Sequence, residues 1–196
     1  MSEYILRSAR YLASECISQA VREGDTVVDA TMGNGHDTEM LARLVGEKGH
    51  VYAFDIQHQA VENTRARLTE QGLIGRVTLI EDSHANLARY VTESPQVIMF
   101  NLGWLPGGDK QVTTLLSSTL TAVQTALSLL PVNGVLCMCV YPGHDEGMRE
   151  LKALTQYFTE LDPRQFNCLL QTFLNAGDGA PRCFIIQKQP GAKANG

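Results

Sequence analysis

One stretch of ten residues, Asp29-Ala30-Thr31-Met32-Gly33-Asn34-Gly35-His36-Asp37-Thr38, holds the densest set of ligand-binding groups in the chain. Gly33 and Gly35 allow a tight turn and bring backbone close to a ligand with no Cβ in the way. Asp29, Thr31, Asn34, Asp37 and Thr38 place short polar side chains beside that turn. Asp55 stands 20 residues past Gly35 with Gln57 close behind, and an acid at that place can accept both hydroxyls of a ribose. Asp82-Ser83-His84 follows, where side chains can meet an adenine edge. Helix capping accounts for any one of these acids. It does not account for three acids and two glycines in register. A pyrophosphate binder wants a third glycine where Thr38 stands, and Asp37 would oppose the phosphates. A sulfonium and an ammonium suit an acidic loop better, so the expected ligand is S-adenosylmethionine.

A second constellation is Asn101-Leu102-Gly103-Trp104-Leu105-Pro106-Gly107-Gly108-Asp109-Lys110. Methyltransferases that act on amino groups of bases often carry Asn/Asp-Pro-Pro-aromatic at this place. The Asn side chain and a carbonyl hold the amine hydrogens while the ring stacks on the base. Asn101 and Trp104 occupy the outer positions, and Leu102-Gly103 replaces both prolines. The chemistry needs an aimed nitrogen lone pair, and such placement lowers a barrier by roughly 7 to 11 kcal/mol. The plain alternative makes Trp104 a core or lid aromatic and Asn101 a turn residue. Tyr141-Pro142-Gly143-His144 forms a third cluster. His144, with an unperturbed pKa of about 6.5, is either a base or hydrogen-bond partner or a helix cap. Arg182 is either a phosphate contact or a surface arginine. His36, His50 and His58 have no metal-ligand spacing, so no metal is expected.

Alternating elements carry these loops. A helix over residues 4–22 precedes a short β-branched strand at 26–30, a helix at 38–45, a strand at 50–55 and a helix at 58–70. Strand 76–80, a short helix at 85–90, strand 96–101, a long helix at about 112–130, strand 135–141 and a helix at 146–158 follow. The last two strand-like runs, 166–173 and 182–187, have only a loop between them. Repeated strand–helix units predict a doubly wound α/β fold with a mostly parallel, seven-stranded, Rossmann-like sheet. A terminal pair without a crossover predicts an antiparallel edge hairpin. One domain over 1–189 and a disordered tail over 190–196 are expected.

Composition sets the class. The chain of 196 residues is 44% hydrophobic and 19% charged, as in an ordinary globular protein. No apolar run approaches the roughly 18 to 20 residues of a membrane span, and no signal-peptide core follows Met1, so a cytoplasmic location with no membrane partner is expected. The five cysteines lack any C-x-x-C pair and read as buried free thiols. A net charge of −5 argues against broad nucleic-acid binding but permits a local basic patch, for which Lys110, Arg149, Lys152 and Arg182 are candidates. The apolar face of the first helix either covers the sheet or meets a second subunit, which would make a homodimer.

At these residues the chain resembles the YtqB/MnmM-like family of class I methyltransferases, a group that has been labelled rRNA methylases. The resemblance lies in Asp29 to Thr38, Glu81-Asp82-Ser83-His84, Asn101 to Lys110 and Tyr141 to His144, and it spans roughly residues 5 to 187. The family has Tyr where this chain has Trp104, and both rings can stack. The resemblance implies transfer of a methyl group to 5-aminomethyl-2-thiouridine at the wobble position of a tRNA anticodon loop, giving the 5-methylaminomethyl form. It places Asp29, Asn34, Asp37, Thr38, Asp55, Asp82, Ser83 and His84 around the cofactor. It places Asn101, Trp104, Asp109, Lys110, Tyr141, His144 and Arg182 toward the nucleoside, with Asp109, His144 and Tyr141 as alternatives for removing a proton from the amine. Three other functions stay open: a methyltransferase on rRNA or a small amine, a non-catalytic nucleoside-binding protein, and an NAD-dependent oxidoreductase.

Overall fold

The computed structural model describes residues 8–105, 107 and 113–191. Asp109 and Lys110, the first residues of the expected N-terminal helix and the end of the expected tail lie outside the described residues. Seven strands form one sheet in the order β3-β2-β1-β4-β5-β7-β6. They are β1 Thr26–Asp29, β2 His50–Asp55, β3 Val77–Glu81, β4 Val97–Asn101, β5 Val135–Val140, β6 Phe166–Gln171 and β7 Arg182–Lys188. The first five run parallel, and β7 pairs antiparallel with both β5 and β6. The terminal hairpin at one edge is therefore present, as expected from two strands without a crossover helix.

Alternation along each strand divides the core between the two faces. Val27, Val51, Met99, Cys137 and Ile185 point one way, under α1 Ala9–Ala20, α2 His36–Val45 and α3 His58–Glu70. Val28, Phe54, Ile98, Met138 and Phe184 point the other way, under α4 Leu116–Leu129 and α5 Asp145–Thr159. All six residues of β5 are buried, which explains its uninterrupted apolar sequence. α1 buries Ala9, Ala13 and Ile17 and packs on β5 and β7, so its apolar face covers the sheet.

Three local expectations differ from the structure. α4 begins at Leu116, later than the sequence pattern suggested, because Thr113 bridges Trp104 and Thr114 is tied to Gly103 through both backbone and side chain. Those ties pair Gly103 and Trp104 with Thr113 and Thr114 and keep 113–114 out of the helix. Cys168 is exposed on the edge strand β6, whereas Cys137, Cys139 and Cys183 are buried. The segment after β3 is a 3₁₀ turn, His84–Arg89, capped by the Ser83 hydroxyl.

Candidate active site

Strand order reverses between β1 and β4, and ligands in such sheets bind beyond the carboxyl ends of the strands at that point. A cavity of about 760 Å³ opens there. The turn from β1 into α2 forms its floor. Gly35 caps α2 with φ +78°, and a Cβ on it would lie 2.9 Å from the Thr64 hydroxyl and 3.0 Å from the Thr64 Cα. Only glycine serves both demands. Beneath the turn, Asp29 is fully buried, accepting from the Thr31 amide at 3.1 Å and the Thr38 hydroxyl at 2.6 Å. Burial, with the nearby Asp37 carboxylate, pushes the Asp29 carboxyl up to about 7. Asp29, Gly35 and Thr38 shape the loop from below and do not form the cavity wall.

The wall itself gathers Thr31, Gly33, Asn34, Asp37, Asp55, Gln57, Asp82, Ser83, His84, Asn101, Trp104 and Tyr141 from the expected set. Asp55 accepts from the Gly33 amide through one oxygen and from the Gln57 amide through the other, each at 3.0 Å. Burial raises its carboxyl above the usual range, against the pull of these amides. The Ile56 amide also draws on this carboxylate, and the acceptor capacity left over can serve a ribose diol. Beside it Ile56 is 57% exposed, an apolar plate suited to a purine face. Asp82 is held by the Ser83 amide, the Asn86 side chain at 2.8 Å and the Tyr90 hydroxyl at 2.9 Å, and the Asn86 bond leads in lowering its pKa. Burial drives the His84 ring down to about 4, so it is neutral at pH 7. One ring nitrogen bonds the Ala30 backbone, and its buried Nε2 has no partner among the described residues. Donation from Nδ1 leaves Nε2 as an acceptor for an adenine amine. Diol acceptor, apolar plate and orphaned imidazole nitrogen together fit an adenosyl group.

On the acceptor side, the Asn101 amide nitrogen of the main chain donates to the Thr31 hydroxyl at 2.7 Å. Its side-chain Nδ2 donates to Asp37, whose other oxygen accepts from Arg10 at 2.6 Å. The Asn101 Oδ1 is buried with no partner among the described residues. Trp104, 37% exposed, lies over the His144 ring with centroids 4.9 Å apart. The His144 Nδ1 accepts from the Gly147 amide at 3.2 Å and caps α5, so of its two expected roles the geometry supplies the cap. Burial pushes the Tyr141 phenol up to about 12, so it stays protonated at neutral pH and cannot take a proton. Arg182 opens β7 opposite Val140, outside the cavity wall.

Residues missed by the sequence reading complete the site. Arg10 reaches the cavity from α1, and Leu105, Thr113, Leu115 and Ser118 line it with Ile56. Glu150 is buried in α5 and accepts from Thr114 at 3.1 Å and Thr119 at 2.8 Å, anchoring the Thr114 side chain that receives the Gly103 amide. Nothing in the local sequence marks these residues, since each acts across the fold. Among the described residues no group of three or more His, Cys, Asp or Glu is placed to hold a metal, and no helix is long and apolar enough to cross a membrane.

Comparison with known proteins gives the family and the fold. A family described as "Putative rRNA methylase" matches residues 51–187. The "tRNA (mnm(5)s(2)U34)-methyltransferase, chloroplastic" of Arabidopsis thaliana is 36% identical over 194 residues, covering 93% of this chain and 70% of the relative. A "putative rRNA-methylase" from Clostridium thermocellum superposes with a TM-score of 0.92 at 39% identity, covering 94% of this chain and 100% of the other. A "putative methyltransferase" from Streptococcus mutans, solved in complex with SAH, superposes with a TM-score of 0.85 at 34% identity, covering 94% and 99%. The chain thus belongs to the YtqB/MnmM-like "Putative rRNA methylase" family and is an S-adenosylmethionine-dependent methyltransferase.

Proposed function

We propose that the enzyme methylates the amine of 5-aminomethyl-2-thiouridine at the wobble position of tRNA, giving the 5-methylaminomethyl nucleoside. The observation that carries this reading is the Asn101 carbonyl oxygen, buried in the cavity wall with no partner among the described residues. An unmatched buried acceptor costs about 1–3 kcal/mol, a cost relieved when a ligand N–H arrives. S-adenosylmethionine supplies an electrophilic methyl on a cationic sulfur. Asn101 Oδ1 accepts one hydrogen of the amine and so turns the nitrogen lone pair toward the cofactor half of the cavity. Trp104, half-exposed and braced by His144, offers a face on which an unstacked pyrimidine can lie. A wobble base sits in a single-stranded loop and can be splayed into such a pocket. The alkylammonium must lose a proton before its lone pair exists. Tyr141 holds its own proton at neutral pH and the His144 Nδ1 is engaged by the Gly147 amide, whereas Asp109, the third residue expected to take the proton, lies outside the described residues. The name of the Arabidopsis relative supports the same nucleoside.

The test is methyl transfer to two tRNAs identical except for the aminomethyl group, read by mass analysis of the wobble nucleoside. Methylation of the aminomethyl tRNA alone is expected. Equal labelling of both tRNAs, or labelling only of rRNA or a small amine, would overturn the reading. No transfer at all despite donor binding would make the protein a non-catalytic binder.

A further inference from the structure

The Arg10–Asp37–Asn101 chain spans three elements: α1, the first turn of α2, and the end of β4. All three side chains line the cavity. An asparagine amide has nearly the same shape either way round, so its partners decide which end faces a ligand. A carboxylate can only accept. Asp37 therefore requires the Asn101 Nδ2 to face it, and the Asn101 oxygen is turned away, where it is buried without a partner among the described residues. Asp37 in turn is held by the Arg10 guanidinium at 2.6 Å. α1 carries Arg10 on the turn that is seated by the buried Ala9 and Ala13.

We propose that Arg10 is a positioning residue for methyl transfer: it pins Asp37 so that Asn101 presents its carbonyl oxygen to the acceptor amine. The inference rests on the amine-acceptor reading of the site. Arg10 also neutralises Asp37, which otherwise would draw the acceptor ammonium to itself and keep the nitrogen protonated. The Arg10 side chain is 47% exposed, and ion pairs of that kind contribute little to folding, so the residue can be replaced without losing the protein.

The experiment compares wild type, Arg10→Met, Arg10→Lys, Asn101→Ala and the Arg10→Met/Asn101→Ala double variant. Single-turnover methylation of aminomethyl tRNA is measured at saturating donor, and SAH affinity by calorimetry. Misplacement by about 1 Å costs on the order of 100-fold in rate, so Arg10→Met is expected to slow transfer about 10- to 100-fold, with SAH affinity within about three-fold. Arg10→Lys recovers part of the rate. In the Asn101→Ala background, Arg10→Met costs less than about three-fold, because a residue acting through Asn101 has nothing left to position. Multiplying losses, or a loss confined to tRNA affinity with the rate intact, would overturn the proposal. A second measurement needs no acceptor: the Asn101 side-chain amide signal, identified by its absence from Asn101→Ala, loses exchange protection in Arg10→Met. If wild type fails to methylate aminomethyl tRNA, the function reading falls and this amide signal still decides the role of Arg10. An unchanged signal would refute it.

Discussion

Replacing Asp55 by alanine tests the cofactor half of the site most directly. The Asp55 oxygens accept the Gly33 and Gln57 amides, the Ile56 amide also draws on the carboxylate, and Asp55 lines the cavity. Two ribose hydroxyls bound there make two charge-assisted hydrogen bonds, each with a net value of about 1.5–3 kcal/mol. Taking the lower figure, because freed hydroxyls return to water, the loss is about 3 kcal/mol, or on the order of 100-fold in Kd. Asp55→Asn keeps one acceptor and should weaken binding about ten-fold, near half that free energy. Freeing the Gly33 and Gln57 amides also loosens the unliganded loop, so apo stability should fall by about 1–3 kcal/mol. Calorimetric titration with SAH gives Kd without chemistry, and urea unfolding gives the apo term separately. At saturating donor the rate of transfer should stay within about three-fold of wild type, since the interaction is uniform along the reaction. An SAH affinity within about three-fold of wild type, or a slowed rate with intact affinity, would remove Asp55 from the role given to it.

The acceptor half and the buried acid behind it give two further expectations. Trp104→Ala should raise the KM for tRNA about 10- to 100-fold, the equivalent of about 1–3 kcal/mol of base stacking, with Trp104→Phe close to wild type; equal effects of both variants would show that the ring does not stack. Glu150, raised by burial from 4.5 to about 7, holds its proton longer in the folded state than in the unfolded one. Its contribution to stability is therefore full below about pH 4.5 and is lost as pH rises to about 7, by the linkage between proton uptake and folding. Glu150→Gln should shrink the difference in unfolding free energy between pH 5 and pH 8 by about 2 kcal/mol in urea titrations. A difference equal to that of wild type would mean Glu150 ionises normally.

What the sequence made legible was what chain neighbours build together. The β1–α2 turn, Asp55 after β2 and Asp82 after β3 each belong to one strand–helix unit, where glycine geometry and short polar side chains are visible in order. Asn101 and Trp104 were legible for the same reason, at the end of β4. What escaped was tertiary. Arg10 lies 27 positions before its partner Asp37 on what reads as an ordinary helix face. Glu150 looks like a solvated mid-helix acid and is buried only because Thr114 and Thr119 come to meet it. The late start of α4 has the same cause: Trp104 and Gly103 capture Thr113 and Thr114, and those ties outweigh local helix preference.

The charge of the cavity bears on how a strongly acidic polymer could be a substrate of an acidic protein. Among the described wall residues Asp37, Asp55 and Asp82 are acidic, and Arg10 is the one arginine or lysine. Asp29, just beneath, stays partly protonated near neutral pH because burial, and then the Asp37 carboxylate beside it, disfavours a further charge there. Such a wall attracts the sulfonium and ammonium of the donor and repels phosphate, which is why a dinucleotide fits it poorly. The same field keeps an RNA backbone out. A single unstacked base with a positive aminomethyl substituent would enter with the field instead of against it, leaving the strand at the rim. On the proposed function, an extruded aminomethyl nucleoside would satisfy electrostatics that a stacked or duplex substrate would violate, and phosphate contacts to a tRNA would come from outside the described wall.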